Sequence, residues 1–254
     1  MALLQVTGLT KHFGGLAAVD DLHFHVKAGE IVGLIGPNGA GKTTVLNMVT
    51  GFIPPTKGII AFDGHTITNL KPHSIVRLGL ARTFQNNLLF KGQTVLENIM
   101  GAGYLELRSN LMGSFFNTHH SRSEEGRIRK RAVEVSKLVG LTEVEDRLAE
   151  KLPHGFQRLL GLAMAYSVNP KLMLLDEPTG GMNADESIAT VDLLQRIRKE
   201  GTTILLIEHN MKVVMNMCTR ILVLDFGKLI AEGLPEEISK NSAVIKSYLG
   251  EEIY

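Results

Sequence analysis

Apolar residues follow three rhythms along the chain. Over residues 3 to 9 and 22 to 27 they alternate: Leu22, Phe24 and Val26 fall on one side, His23, His25 and Lys27 on the other. That period of two predicts strands with one buried face. Ile31 to Ile35 is a short unbroken apolar run, as expected for a strand buried on both faces. Gly58-Ile59-Ile60-Ala61-Phe62 reads as a further strand closed by an Asp63-Gly64 turn. The rhythm then changes. Thr94-Val95-Leu96-Glu97 has the form of a capping box opening a helix, and Thr142-Glu143-Val144-Glu145 repeats that form. Between them Ile128, Ala132, Val135 and Val139 keep helical spacing. Residues 86 to 165 are therefore expected to form a helical insertion. Within it, polar residues 108 to 126 predict an irregular loop or a short partner-facing helix. Strand and helix alternate again afterwards. Lys171 to Leu175, Thr202 to Ile207 and Ile221 to Leu224 read as strands, and Ile188, Val191, Leu194 and Ile197 mark an amphipathic helix. Asp225-Phe226-Gly227-Lys228 reads as a hairpin turn; it matches a kinase magnesium motif by letter only, since the other kinase elements are absent. The pattern is that of an α/β protein.

Composition narrows the function classes. A chain of 254 residues with 44% hydrophobic and 21% charged residues can bury a sizeable core. The net charge of +1 gives no bulk attraction to nucleic acid, so none is expected as a partner. The single cysteine, Cys218, excludes an internal disulfide and fits a reducing cytosol. Set among Val213, Val214, Met215 and Met217, it reads as a buried small hydrophobe. No segment has the apolar length of a membrane-spanning helix. The start, Met1-Ala2-Leu3-Leu4-Gln5-Val6, lacks the basic region of a signal peptide. A cytoplasmic protein is expected, peripheral if it works at a membrane.

The chemistry begins at Gly36-Pro37-Asn38-Gly39-Ala40-Gly41-Lys42-Thr43-Thr44, between the apolar strand and the helical Val45-Leu46-Asn47-Met48-Val49. Strand, glycine-rich loop and helix in that order form a phosphate-binding loop. Its backbone N–H groups turn inward around a polyphosphate, and the helix adds its positive dipole end. Lys42 would reach the β- and γ-phosphates, and Thr43 would offer a hydroxyl to Mg²⁺. Asp176 ends an apolar strand, where a carboxylate can hold the same metal; Glu177 follows, placed to polarise a water as general base. His209 comes after the next strand, where a parallel sheet gathers its ligands, and can hydrogen-bond a γ-phosphate. Gln85 lies between sheet and insertion, where its amide can touch metal or attacking water. The adjacent His119 and His120 have no third ligand at metal spacing and read as solvated.

As a set, the loop at 36 to 44, Gln85, Asp176-Glu177 and His209 resemble the nucleotide-binding subunits of ATP-binding cassette (ABC) transporters, over essentially the whole chain. Leu80-Ala81-Arg82-Thr83-Phe84-Gln85, the insertion at 101 to 131, Ile207-Glu208-His209 and the tail ending Tyr248-Leu249-Gly250-Glu251 are similar to the ATPases of branched-chain amino-acid importers. The resemblance implies a P-loop NTPase (RecA-like) parallel-sheet core with an N-terminal antiparallel β subdomain and a helical insertion subdomain. One nucleotide-binding domain would span 1–254: residues 1–85 and 166–232 as ATP-binding core, 86–165 as helical subdomain, 233–254 as tail. It further implies ATP and Mg²⁺ as ligands, with Phe13 stacking on adenine and Thr43, Gln85 and Asp176 at the metal. A second ATPase subunit, two membrane-spanning permease subunits and a solute-binding protein would be partners, at the inner face of the membrane. The alternatives are a lipid- or lipopolysaccharide-extracting ATPase, against which the 101 to 131 insertion argues, and a non-transport ATPase, which would favour basic patches or a long coiled coil.

The family's signature, Leu-Ser-Gly-Gly-Gln at a helix start, touches the γ-phosphate held by the partner. Here the matching stretch is Leu152-Pro153-His154-Gly155-Phe156-Gln157, in which only Leu152 and Gly155 keep the pattern. Pro153 supplies neither hydroxyl nor N–H, and His154 replaces a glycine. Met164 stands where arginine is common, and Asn183 replaces the usual aspartate. The chain's own phosphate loop is intact while the signature it lends is altered, so a heterodimer with unequal sites is expected.

Overall fold

The computed structural model of the chain describes residues 2–83, 89–104 and 119–249. These divide into two compact units, Met1–Arg82 with Lys171–Tyr254, and Thr83–Pro170.

The first unit holds both sheets. Strands β1 (Ala2–Phe13), β2 (Leu16–Lys27), β4 (Lys57–Phe62) and β5 (His65–Thr66) form an antiparallel sheet in the order β2-β1-β4-β5. Alternation along β2 is as expected, with Leu22, Phe24 and Val26 buried. The second sheet has the order β10-β9-β3-β8-β7-β6, from β3 (Ile31–Ile35), β6 (Leu80–Arg82), β7 (Leu172–Asp176), β8 (Thr203–Ile207), β9 (Arg220–Asp225) and β10 (Lys228–Gly233). All neighbours in it are parallel except β9 and β10. β3, β7 and β8 are buried at every residue, which explains their unbroken apolar runs. A continuous core runs from Leu4, Val6 and Phe62 on one sheet to Leu34, Leu174 and Leu205 on the other. The two hairpin turns read from the sequence are present: Asp63-Gly64 and Phe226-Gly227 have positive φ at both central residues, as a two-residue turn between twisted strands requires.

Helices α1 (Lys42–Val49), α2 (Pro72–Arg77), α6 (Ala184–Lys199), α7 (Met211–Met217), α8 (Pro235–Ile238) and α9 (Ser242–Leu249) belong to the same unit. The face that α6 buries differs from the sequence reading. Ser187, Thr190, Leu193, Leu194 and Ile197 are buried, Val191 is half-buried and Ile188 is 61% exposed. The buried hydroxyls are satisfied locally, Ser187 Oγ donating to the Asn183 carbonyl and Thr190 Oγ1 to Met182 Sδ, so two polar residues can stand on the core face. Leu194 and Ile197 are thus buried as expected, while Ser187 and Thr190 take the buried places expected of Ile188 and Val191.

The second unit holds α3 (Val95–Gly103), α4 (His119–Val139) and α5 (His154–Ser167). Thr94 forms the expected capping box: Glu97 N–H donates to its hydroxyl and the Glu97 carboxylate accepts from Thr94 N–H. The box expected at Thr142 does not form. Thr142–Val144 is one 3-10 turn without a side-chain cap. The C-terminal turn of α4 already ties down the preceding residues, with Leu141 N–H donating to the Ser136 carbonyl and Leu141 fully buried, so a single turn is all that fits there. In the 108 to 126 segment, residues from His119 onward belong to α4; the rest lies outside the described residues.

Candidate active site

Parallel pairing brings the ends of β3, β6, β7 and β8 to one edge of the sheet, and the chemically notable residues follow those ends. The loop after β3 is shaped by glycines. At Gly41 φ is +100°, and a Cβ would stand 2.5 Å from the Ala18 carbonyl oxygen; at Gly36 φ is +149°, and a Cβ would stand 2.1 Å from the Leu224 carbonyl oxygen. No other residue type fits these backbone positions. Ala40 N–H donates to the Pro37 carbonyl, and the Ala40 carbonyl accepts from Gly227 N–H, which anchors the loop to the β9–β10 turn. Asn38 and Gly39 are exposed at the tip.

Helix α1 starts at Lys42 with no side chain capping Gly41 and no acidic residue in its first turn. The helix's own first turn therefore sets no carboxylate against its positive dipole end. The Lys42 side chain is buried, its ammonium donating to the Gly36 carbonyl at 2.6 Å and the Pro37 carbonyl at 2.7 Å. Thr43 is exposed on the first turn and Thr44 half-buried. A buried cation and a backbone that a Cβ would fill are the features a polyphosphate cradle requires.

Asp176, the last residue of β7, is 6% exposed. Its Oδ2 lies 3.1 Å from a guanidinium nitrogen of Arg82, the last residue of neighbouring β6. Arg82 also donates to Asn47 Oδ1 at 2.7 Å and Thr50 Oγ1 at 3.3 Å. It thus ties the carboxylate to the phosphate-loop helix and its C-terminal end. Burial lowers the Arg82 pKa from its ordinary value, and Asp176 counters that shift.

Glu177 follows in a left-handed conformation, φ +50°, costly for a non-glycine residue. Its N–H donates to the Ile207 carbonyl and its carbonyl accepts from Gly180 N–H. The side chain is turned to His209, with Oε1 3.0 Å from Nε2. Adjacency of β7 and β8 explains the encounter: Asp176 pairs with Ile207, so the residues just beyond both strands are neighbours.

Sequence reasoning missed Arg82 and Glu208 as site residues. Glu208 is 3% exposed and lies between the two loops; among its hydrogen bonds is one from Thr179 N–H at 2.9 Å. Its negative charge, after burial itself, helps push the Cys218 thiol up to about 12. Cys218 is buried, the environment expected of a packing residue. An Arg before a strand end and a Glu before a histidine carry no motif; only the buried strand contexts on either side could have marked them.

Phe13 ends β1 opposite Leu16 across the hairpin and is 50% exposed, with the Lys11 ammonium 5.2 Å from its ring centroid. Gly155 is the second residue of α5, in the other unit, and Pro153 is that helix's N-cap. Gln85 lies outside the described residues. No group of three or more His, Cys, Asp or Glu side chains able to hold a metal exists among the described residues. Mg²⁺ is commonly held by one or two carboxylates plus substrate phosphates, and buried Asp176 with the Thr43 hydroxyl suits that mode.

Comparison with known proteins bears on the family of the chain. The ABC transporter family model matches residues 19–180, and the model of a branched-chain amino acid ATP-binding cassette transporter matches 228–254. The chain is 43% identical over 250 residues to the high-affinity branched-chain amino acid transport ATP-binding protein BraF of Pseudomonas aeruginosa, covering 98% of each. It is 42% identical, again over 98% of each, to the protein LivG of Escherichia coli, which bears the same description. Among solved structures, the ADP conformation of an ATP-binding cassette of an ABC transporter superposes with a TM-score of 0.85 at 30% identity, over 98% of this chain and 99% of that one.

Proposed function

The chain belongs to the ABC transporter family of ATP-binding proteins, as a nucleotide-binding ATPase with a P-loop α/β fold, and we propose that it drives the uptake of branched-chain or similar hydrophobic amino acids. The solute assignment is supported by full-length similarity to BraF and LivG and by the match of the C-terminal residues. The solute itself would be read by the membrane subunits and a binding protein.

The observation that carries the catalytic reading is the Glu177–His209 pair at 3.0 Å, at the same sheet edge as the phosphate loop. In this reading the amides of Gly36 to Thr44, with Asn38, Gly39, Ala40 and Gly41, cradle the phosphates of ATP, and Phe13 stacks on the adenine. Lys42 leaves its carbonyl partners for the β- and γ-phosphates. Thr43, Asp176 and Gln85 would hold Mg²⁺, which when bound would neutralise charge on the phosphates. Glu177 takes the proton of the attacking water as general base. His209 orients Glu177 and hydrogen-bonds the γ-phosphate.

The site is completed by a second ATPase subunit, and the altered stretch around Gly155 favours a partner that is not a copy of this chain. Two permease subunits hold the pair at the inner face of the membrane; among the described residues no helix is long and apolar enough to cross it. The test is to purify the tagged chain with its membrane fraction, identify what accompanies it, and compare ATP turnover alone and with those partners. Co-purification of a distinct ATPase and two membrane proteins, with turnover rising on assembly, is expected. Brisk, cooperative hydrolysis by the chain alone contradicts the heterodimer; recovery of nucleic acid contradicts the transport assignment.

A further inference from the structure

The left-handed Glu177 and the exposed histidine that faces it sit on two separate loops, and one buried side chain bonds to both. Glu208 Oε1 accepts from Thr179 N–H at 2.9 Å and Thr179 Oγ1–H at 2.6 Å, on the loop that carries Glu177. Its other oxygen, Oε2, accepts from His209 N–H at 3.2 Å and Asn210 N–H at 3.4 Å, on the loop that carries His209. Each oxygen serves one loop. All four contacts are donors, and the site is buried, so only a group accepting at both ends satisfies it. A carboxylate does so. An amide of the same shape accepts at one end only and turns an NH₂ toward N–H donors at the other.

We propose that Glu208 is a positioning residue that locks Glu177 and His209 into one unit, fixing their separation before nucleotide arrives. Glu208 itself touches neither nucleotide nor water in this scheme; it acts through the two loops. The inference rests on the reading of Glu177 as base. A left-handed backbone persists where its surroundings over-determine it, and at Glu177 these are the bond to Ile207, the bond from Gly180 and the clamp on Thr179 two residues on. The bland explanation is that Glu208 only satisfies loop amides for the sake of folding. The two explanations differ in what an isosteric change does to chemistry.

The experiment compares Glu208→Gln, Thr179→Val, Thr179→Ser and Glu177→Gln in the full chain with its co-purified subunits. ATP dissociation constant, KM, kcat and melting temperature are measured for each. A misplacement on the order of 1 Å of a catalytic group can cost about 10²-fold in rate. Glu208→Gln is therefore expected to lower kcat by roughly ten- to a hundredfold while KM and ATP affinity stay within about threefold. Thr179→Val, which removes one hydroxyl, is expected to lower kcat in the same direction by less, and Thr179→Ser to restore it. Parental kcat in Glu208→Gln overturns the inference. So does a kcat loss that appears only alongside an equal loss of ATP affinity and melting temperature. If Glu208→Gln does not fold, the Thr179→Val and Thr179→Ser pair decides alone: equal kcat in the two overturns the inference. If Glu177→Gln keeps its turnover, the base assignment fails; if it loses turnover while Glu208→Gln does not, only the positioning role fails.

Discussion

Two helix starts invite comparison, α1 at Lys42 and α5 at His154. Both lack a side-chain cap and both lack an acidic residue in the first turn. Each therefore presents a positive dipole end that no side chain of its own first turn neutralises. They differ in how much of the surrounding chain is committed to that use. Before α1 the backbone is left-handed at Gly41 and pressed against Ala18, a cation is buried beneath it, and Arg82 braces Asn47 of the helix against Asp176. Before α5 the N-cap is Pro153 in extended geometry, and Gln157 folds its amide back onto the Leu152 carbonyl. The first start is shaped by its surroundings. The second keeps only what any helix start has, with Gly155 just inside it. The dipole is thus generic; what distinguishes the first start is the close backbone approach and the burial around it.

The comparison can be broken from either side. Arg82→Met removes one partner of a buried pair, which costs roughly 3–5 kcal/mol; a correspondingly large fall in denaturation midpoint is expected, and an unchanged midpoint shows the brace to be dispensable. Gly41→Ala imposes a side chain at φ +100° against the Ala18 carbonyl. Backbone strain of roughly 1–3 kcal/mol, if it falls on the bound form, translates to about five- to 150-fold weaker ATP binding, measured with a fluorescent nucleotide. Gly155→Ala is the matching change on the other helix, and it should leave this chain's own ATP affinity unaltered; weakened affinity would show that Gly155 serves the site within the same chain. Among the stability effects the smallest is expected at Thr94→Ala. Losing that cap costs about 1 kcal/mol, seen as a lower midpoint for the helical unit with ATP affinity intact.

Much of this was legible in sequence because it rests on local rules. The buried strands β3, β7 and β8 are continuous apolar runs, and the chemistry sits just past them. The Thr94 box forms because a full helix follows; the identical pattern at Thr142 fails because only one turn of chain is available. The buried face of α6 is as expected at Leu194 and Ile197 but differs in its first turns, because Ser187 and Thr190 can be buried once their hydroxyls find partners. Arg82 and Glu208 were invisible as site residues for a related reason. Their roles come from strand adjacency, β6 beside β7 and β7 beside β8, which no spacing along the chain encodes.

Glu177, held left-handed and facing His209, is the proposed base of the ATPase site. Turnover and ATP binding of Glu177→Gln, measured together in the assembled protein, test it most directly. General-base catalysis supplies about 10²–10⁴-fold, so turnover is expected to fall by that order while ATP still binds and the nucleotide-bound assembly accumulates. Turnover equal to that of the parent protein would contradict the account.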